Sequence, residues 1–227
     1  MGTGDQYRTI ADLPPAIPLF PLGGVLLLPR TQLPLNIFEP RYLDMVDDVL
    51  AGRRIIGMIQ PADEEAALAG EDPALAPPLV SVGCAGRVTS FTETGDGRLF
   101  ITLTGISRFR VARELSVATP YRQCEADWSP YVDDLVPGFG QDEVARARLL
   151  EILTEYLKVN NLQVDWRAIH ASSNEALVNS LSMISPFGLK EKQALLEART
   201  LEDRNQMLIA ITEVALAQTS PSSSTVQ

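Results

Sequence analysis

Residues 17–50 read IPLFPLGGVLLLPRTQLPLNIFEPRYLDMVDDVL, and the order of element types within them decides the fold. Apolar runs at 17–20 and 25–28 are separated by Pro21, Gly23 and Gly24; a third run, 33–37, follows a polar break at 29–32. Short apolar runs bounded by turn residues predict strands. In the run 25–28 both alternating sets are apolar, which predicts a core strand covered on both faces, or else an exposed sticky surface. Glu39-Pro40 then predicts a helix entrance. Proline is tolerated at the first helical position, where its missing N–H would be unpaired anyway, and the glutamate sits at the positive end of the helix dipole. Tyr42, Met45, Val46, Val49 and Leu50 recur at helical spacing, leaving Asp44, Asp47 and Asp48 to water, and Gly52 is a stop. The stretch therefore predicts strand, strand, strand, helix.

Working outward, residues 54–60 predict another strand, and 61–78 an acidic loop. Asp63, Glu64, Glu65, Glu71 and Asp72 in that loop lack the ordered spacing of a cation site. Residues 79–93 predict a long strand bent or bulged at Gly83 and Gly86. The turn residues 94–97 precede a clean alternation of Leu99, Ile101 and Leu103 against Phe100, Thr102 and Thr104. Segments 106–112 and 121–128 complete about eight short strands, best arranged as a bent sheet closed into a small barrel.

Residues 129–140, with Pro130, Pro137, Gly138 and Gly140, read as a linker. Beyond it the apolar period changes to helical. Val144, Ala147, Leu149, Leu150, Leu153 and Leu157 mark one helix. Ser172-x-x-Glu175 predicts a capping box ahead of 176–184. Residues 189–198 form a third helix, and Thr200-x-x-Asp203 opens a fourth with the stripe Leu201, Met207, Leu208, Ile211, Val214 and Ala215. The expected class is α+β: a β-barrel with one early helix over 1–128, a linker over 129–140, a helical bundle over 141–218 and a disordered tail over 219–227.

Composition narrows function. The chain has 227 residues, 45% hydrophobic and 21% charged, enough for a sizeable core. Its net charge of −10, spread over both halves, opposes phosphate backbones and argues against nucleic-acid binding. A local basic patch at Arg108, Arg110 and Arg113 is the one exception. Two distant cysteines, Cys84 and Cys124, belong to no CxxC pair and predict reduced thiols rather than a disulfide or zinc site. No apolar run is long enough to span a bilayer, and the N-terminus, with Asp5 and Asp12, does not resemble a signal peptide, so the cytoplasm is the expected location.

The ordered combination Pro18-Leu19-Phe20-Pro21-Leu22, Val25-Leu26, Leu33-Pro34-Leu35-Asn36-Ile37-Phe38-Glu39 and Arg41-Tyr42 resembles the N-terminal domain of the Lon proteases (ATP-dependent protease La). Gly97-Arg98, Gly105-Ile106-Ser107-Arg108-Phe109, and Lys192 to Glu197 followed by Arg204, continue the resemblance in the same order over residues 15–216. The resemblance implies a PUA-like pseudo-barrel, and a domain that takes part in recognising unfolded or tagged substrates. It implies no catalytic residues, because no Gly-Lys dipeptide of a P-loop occurs and the family's serine–lysine peptidase lies in a separate downstream domain.

Within that expectation the binding partners are polypeptides, through β-addition at a strand edge or an apolar groove where barrel meets helices, with a protease or chaperone system as a further partner. Candidate contact residues from composition are Leu26, Leu28 and Phe38 on the barrel and Phe187 at the helical bend. Glu39, Arg41 and Tyr42 read as a structural turn. The competing reading is a small-molecule or enzymatic role in a barrel pocket. RNA binding by fold analogy is a third, opposed by the charge. No cofactor or metal is expected: His170 stands alone, and the serines at 172, 173 and 180 lack a nucleophile's context. Met58, Met183 and Met207 read as core packing first and as an adaptable binding surface second, and Trp128 and Trp166 as pins between the two halves.

Overall fold

The computed structural model describes residues 7–69 and 77–219. Six strands form one sheet: β1 (Ala16–Pro21), β2 (Gln32–Ile37), β3 (Ile55–Ile59), β4 (Val82–Thr94), β5 (Arg98–Glu114) and β6 (Gln123–Asp127). Their order is β2-β5-β4-β3-β1-β6, and β5 also pairs with β6, so five of the strands close into a ring. Closure depends on the length of β5. Its first half pairs with β2 (Ile37↔Leu99 through Gln32↔Thr104) and its second half with β6 (Arg110↔Asp127, Glu114↔Cys124). Two bulges, one with Ile106 of β5 as the extra residue opposite Ala85/Gly86 and one with Thr89 of β4 as the extra residue between Val88 and Ser90, bend the sheet enough to close. β1 and β3 run parallel, joined by the crossover through β2 and α1 (Pro40–Ala51).

The barrel is the expected pseudo-barrel, built from fewer pieces. Residues 98–114 make one continuous strand where two were expected. Residues 25–28 are not a strand: Leu26, Leu27 and Leu28 are buried to 2%, 2% and 0% exposure on an irregular, extended segment. Burying each of these side chains stabilises the fold by about 1.5–3 kcal/mol, so their apolarity serves burial and not ladder pairing. The acidic stretch also departs from a loop, with a short helix α2 (Glu64–Ala69) in which Asp63 Oδ1 accepts from the N–H of Ala66 at 2.8 Å. Glu71 and Asp72 lie outside the described residues.

The helical half contains α3 (Arg146–Val159), α4 (Trp166–Ala171), α5 (Asn174–Ile184), α6 (Leu189–Glu197) and α7 (Leu201–Thr219). α4 was not expected. The predicted capping box at Ser172 does not form. Ser173 is the N-cap of α5, accepting from the N–H of Ala176 at 3.1 Å, and Glu175 points elsewhere. The box at Thr200 does form, with Asp203 N–H on Thr200 Oγ1 at 3.0 Å and Thr200 N–H on Asp203 Oδ2 at 3.1 Å. On α7, Val214 is 58% exposed, whereas Arg204, Asn205 and Thr212 share the buried face with Leu201, Leu208 and Leu216. Residues 220–227 lie outside the described residues.

Two apolar clusters hold these parts. Ile17, Leu19, Ile55, Ile59, Ala85, Phe109, Cys124 and Ala126, from all five ring strands, fill the barrel interior. Trp128 joins them, packing edge-on to Phe109 at 5.8 Å and donating its indole N–H to Pro14 O at 3.0 Å. It therefore fastens the N-terminal segment, not the helical half, and Trp166 is 36% exposed beside His170. The second cluster runs from α1 through the outer wall of the barrel (Leu28, Leu35, Ile101, Leu103) into Leu149, Val178, Leu195 and Leu208 of the helices. Barrel and helices share one continuous core.

Candidate functional site

The turn of residues 28–31 crosses directly over β5, and this crossing builds the site. A Cβ on Gly105 would lie 2.0 Å from Leu28 O, so only glycine admits the approach. The crossing is stitched by Arg30 N–H on Gly105 O and Gly105 N–H on Thr31 O, each 2.9 Å. Arg30 adopts a left-handed backbone, φ 63°, which costs a non-glycine residue about 1 kcal/mol. That conformation sends its side chain across the seam between barrel and helices.

There Arg30 Nε donates to Glu175 Oε1 at 2.8 Å, Nη2 completes the ion pair, and Nη1 donates to Asp134 O at 2.5 Å. Glu175, on α5, also accepts from the N–H of Gly138 through Oε2 at 3.0 Å. One carboxylate thus joins the barrel, the 129–140 segment and the helices. That segment opens as a 3-10 helix (Ser129–Leu135) with Asp134 buried.

Beneath lies a second pair. Arg108, 5% exposed on β5, donates Nε to Asp134 Oδ2 (2.9 Å) and Nη2 to Asp134 Oδ1 (2.8 Å). Its Nη1 reaches Leu196 O (3.1 Å) and Ala198 O (2.5 Å) at the end of α6, and its guanidinium lies 4.5 Å above the Tyr131 ring. Burial opposes the Arg108 charge, but the hydrogen bonds and charge of Asp134 outweigh it and hold the pKa above the ordinary arginine value. Arg204, 4% exposed on α7, donates Nε to Leu195 O and Nη1 to Asn179 Oδ1, each 2.8 Å. Burial and the neighbouring Arg108 charge lower its pKa to about 10.

Three hollows open around Arg30. A crevice of about 60 Å³ lies over Arg204 and Asn179. A hollow of about 280 Å³ is lined by Tyr7, Gln32, Ile106 and Leu135. The largest, about 540 Å³, is a groove between Pro29–Gln32 and α5, lined by Ala176, Ser180, Met183 and Ile184. Ile184 is 75% exposed at its rim.

The residues expected to contact a partner fall unevenly around this seam. Leu26 and Leu28 are core residues and offer no surface, because their side chains support the crossing from below. Phe38 is 59% exposed at the far end of β2 from the groove, with Arg98 over its ring at 5.8 Å. Phe187 is half-buried against the shared core, just past α5. Glu39, Arg41 and Tyr42 make a compact turn. Arg41 Nη2 pairs with Glu39 Oε2 at 2.7 Å, its guanidinium lies 4.6 Å over the Tyr42 ring, and Tyr42 packs edge-on to Phe20 at 4.4 Å. The basic patch dissolves, since Arg108 is buried and Arg113 pairs with Glu125 at 2.6 Å.

Composition missed Arg30, Asp134, Glu175 and Asn179. The signal for Arg204 was present, as a charged residue at i+3 from Leu201 and i−4 from Leu208 on a buried stripe. Among the described residues no cluster of His, Cys, Asp and Glu could hold a metal ion, and no helix is long and apolar enough to cross a membrane.

The chain matches the family described as the ATP-dependent protease La (LON) substrate-binding domain over residues 16–213. Among curated proteins it is 28% identical over 220 residues to Lon protease 2 of Sorangium cellulosum, covering 93% of this chain and 26% of that protein. It is 24% identical to Lon protease of Flavobacterium johnsoniae over 197 residues, 85% of this chain and 23% of the relative. The chain thus spans about a quarter of the length of these relatives. Among solved structures, a Lon N-terminal domain protein from Xanthomonas campestris superposes with a TM-score of 0.60 at 24% identity, covering 86% of this chain and 97% of that one. The N-terminal domain of the Mycobacterium avium complex Lon protease gives 0.61 at 15% identity over 87% and 98%. These two likenesses extend the fold to both halves of the chain.

Proposed function

Because this chain belongs to the ATP-dependent protease La (LON) substrate-binding domain family, we propose that it is a non-catalytic module that binds segments of unfolded or tagged polypeptide in the groove between residues 29–32 and α5. The carrying observation is that groove. It measures about 540 Å³, is walled by Met183 and Ile184, and exposes 75% of Ile184 to solvent. Methionine and an exposed isoleucine form an adaptable apolar surface suited to varied side chains. Serine and glutamine at its margins offer hydrogen bonds to a peptide backbone.

Simple β-addition along the free edge of β2 is less suited. Pro34 sits mid-strand and presents no N–H to an incoming chain, a common device for blunting an edge. A small-molecule role in the barrel lacks support, since the interior is filled by Ile17, Leu19, Phe109 and Cys124 at 1% exposure or less. The two free cysteines fit a reducing compartment, and we place the protein in the cytoplasm on that ground. A protease or chaperone system is the natural recipient of bound chains.

The test is fluorescence anisotropy of a labelled, permanently unfolded polypeptide titrated with the protein, with its folded parent as control. Saturable binding of the unfolded chain alone, at a Kd of about 10 μM or tighter, is expected. Equal affinity for the folded parent, or no binding at tenfold higher concentration, sinks the reading.

A further inference from the structure

The hairpin of β4 and β5 carries a strand edge that the ring leaves open. β3 pairs with β4 only as far as Ile55↔Arg87, and the last tie on that side is Val88 N–H on Arg54 O at 2.8 Å. Beyond it, residues 89–94 pair with β5 on one side and, among the described residues, with no strand on the other. All six are exposed. An open strand edge presents unpaired N–H and C=O groups, a template for another chain.

Strand alternation fixes which backbone groups face outward. Gly105 turns both its N–H and its C=O toward residues 30–31, on the β2 side. Successive residues of a strand point these groups to opposite edges, and β5 has no extra residue between Arg98 and Gly105. Leu103, Ile101 and Leu99 therefore bond to β2, and Thr102, Phe100 and Arg98 bond to β4, where they use Ser90, Thr92 and Thr94. Phe91 and Glu93 are left with N–H and C=O groups directed away from the sheet. The same count on β2, at the far edge, puts Pro34 at an outward position, where it withholds a donor. The β4 edge has no such block. Its side chains add two features: Phe91 is 49% exposed, and Glu93 makes no ion pair among the described residues, since Arg98 pairs with Asp96.

We infer that residues 89–94 are a docking edge for an extended polypeptide segment, which adds to the sheet antiparallel to β4. The two outward residues offer two donors and two acceptors, which is the chemistry of another strand. A second copy of this chain is a poorer occupant. Six edge residues bury far less than the roughly 800 Å² per partner of a stable interface, and two chains of net charge −10 repel. Running antiparallel, the segment meets Glu93 before Phe91. A basic residue then faces the unpaired carboxylate, and two positions later a β-branched or aromatic residue faces the phenyl ring. The edge takes the same ligand class as the polypeptide reading above but shares no residue with the groove, so either can fail without the other.

The probe is a labelled, end-capped pentapeptide, Thr-Lys-Thr-Val-Thr, titrated by fluorescence anisotropy; saturable binding at a Kd of about 1 mM or tighter is expected. N-methylation of its Lys or Val removes an edge-facing N–H and should weaken binding at least about fivefold, whereas N-methylation of the central Thr, whose N–H faces solvent, should change it less than about twofold. On the protein, Glu93→Pro removes an outward donor while sparing the ladder to β5, and should weaken binding by a similar factor. Glu93→Lys should reverse the preference, toward the peptide with Glu in place of Lys. No binding, or equal weakening by a methyl at any of the three positions, overturns the edge. A pentapeptide lost in Ile184→Asp but kept in Glu93→Pro lies in the groove, so the edge falls and the groove reading stands. Loss in Glu93→Pro, with Ile184→Asp affecting neither the pentapeptide nor the long unfolded chain, leaves the edge standing and the groove fallen. A wild-type dimer in sedimentation that Glu93→Pro dissociates makes a second copy the occupant and overturns the polypeptide assignment.

Discussion

Replacing Arg108 with methionine tests the seam most directly. Methionine keeps much of the aliphatic length and removes the guanidinium. Asp134, whose side chain is 9% exposed, then keeps its carboxylate in a buried site with only the Arg108 backbone N–H at 2.9 Å to hold it. Leu196 O and Ala198 O lose the donor that ties the end of α6 to the barrel. Removing one partner of a buried pair costs about 3–5 kcal/mol, mostly from the charge left behind. Against a total stability of about 5–15 kcal/mol, that is a large fraction.

Urea unfolding followed by tryptophan fluorescence measures the loss, since Trp128 is buried in the barrel. With a slope of about 2–3 kcal/mol/M, the midpoint should fall by about 1–2 M. Asp134→Leu in the same background should restore at least about 1 kcal/mol, because an apolar pair replaces a lone charge. A loss below about 1 kcal/mol for Arg108→Met, or a double variant no more stable than the single one, would refute the account of the seam as a charge-matched joint.

Gly105→Ala should cost more than about 3 kcal/mol, or abolish folding, because its Cβ would meet Leu28 O at 2.0 Å; a soluble variant with wild-type melting would remove the crossing argument. Ile184→Asp should change stability by less than about 0.5 kcal/mol while weakening the binding of unfolded polypeptide at least about tenfold, both read from one titration and one melt. Stability should also fall above about pH 9. Burial raises the Cys84 thiol, and raises Cys124 to about 12; burial and the hydrogen bond to Asp48 raise the Tyr121 phenol to about 12. The unfolded chain therefore releases these protons at lower pH than the folded one, so their contribution is complete below about pH 9 and is lost as pH rises toward 12. Urea midpoints between pH 7 and 11 check this, and unchanged midpoints would contradict the burial of the thiols.

Where sequence and structure agree, the local chemistry had little competition. Pro40 and Gly52 bound α1 because backbone chemistry alone allows them there. Leu99, Ile101 and Leu103 all face the core shared with the helices because a one-residue slip would have exposed all three. The misses share a different cause: a partner distant in sequence outbids a local pattern. Ser172-x-x-Glu175 has the spacing of a capping box, yet Ser173 takes the cap and Glu175 pairs with Arg30, 145 residues away. Residues 25–28 have strand composition, but Leu28 must cross over Gly105, and the crossing forbids a ladder. Arg108 is an arginine that charge alone assigns to water, Arg204 one that helical spacing puts on the buried stripe, and what keeps both buried is acceptors on α5, α6 and the 129–140 segment.

The same distant pairings explain how one surface can be firm and adaptable together. Glu175 and Asn179 anchor α5 at successive turns, the first to Arg30 and Gly138, the second to Pro29 O and Arg204. Met183 and Ile184 follow one turn later on the same helix, beyond the last of these ties, where the wall of the groove is apolar. A charge-matched network specifies geometry, since each donor accepts few arrangements, whereas methionine and an exposed isoleucine accept many. The proposed function, holding polypeptides of unrelated sequence, needs both properties. The helix that presents the apolar wall has to stay in place, and the wall itself has to accommodate whatever side chain arrives. Placing the polar network at one end of α5 and the apolar contacts at the other meets both needs with a single eleven-residue helix.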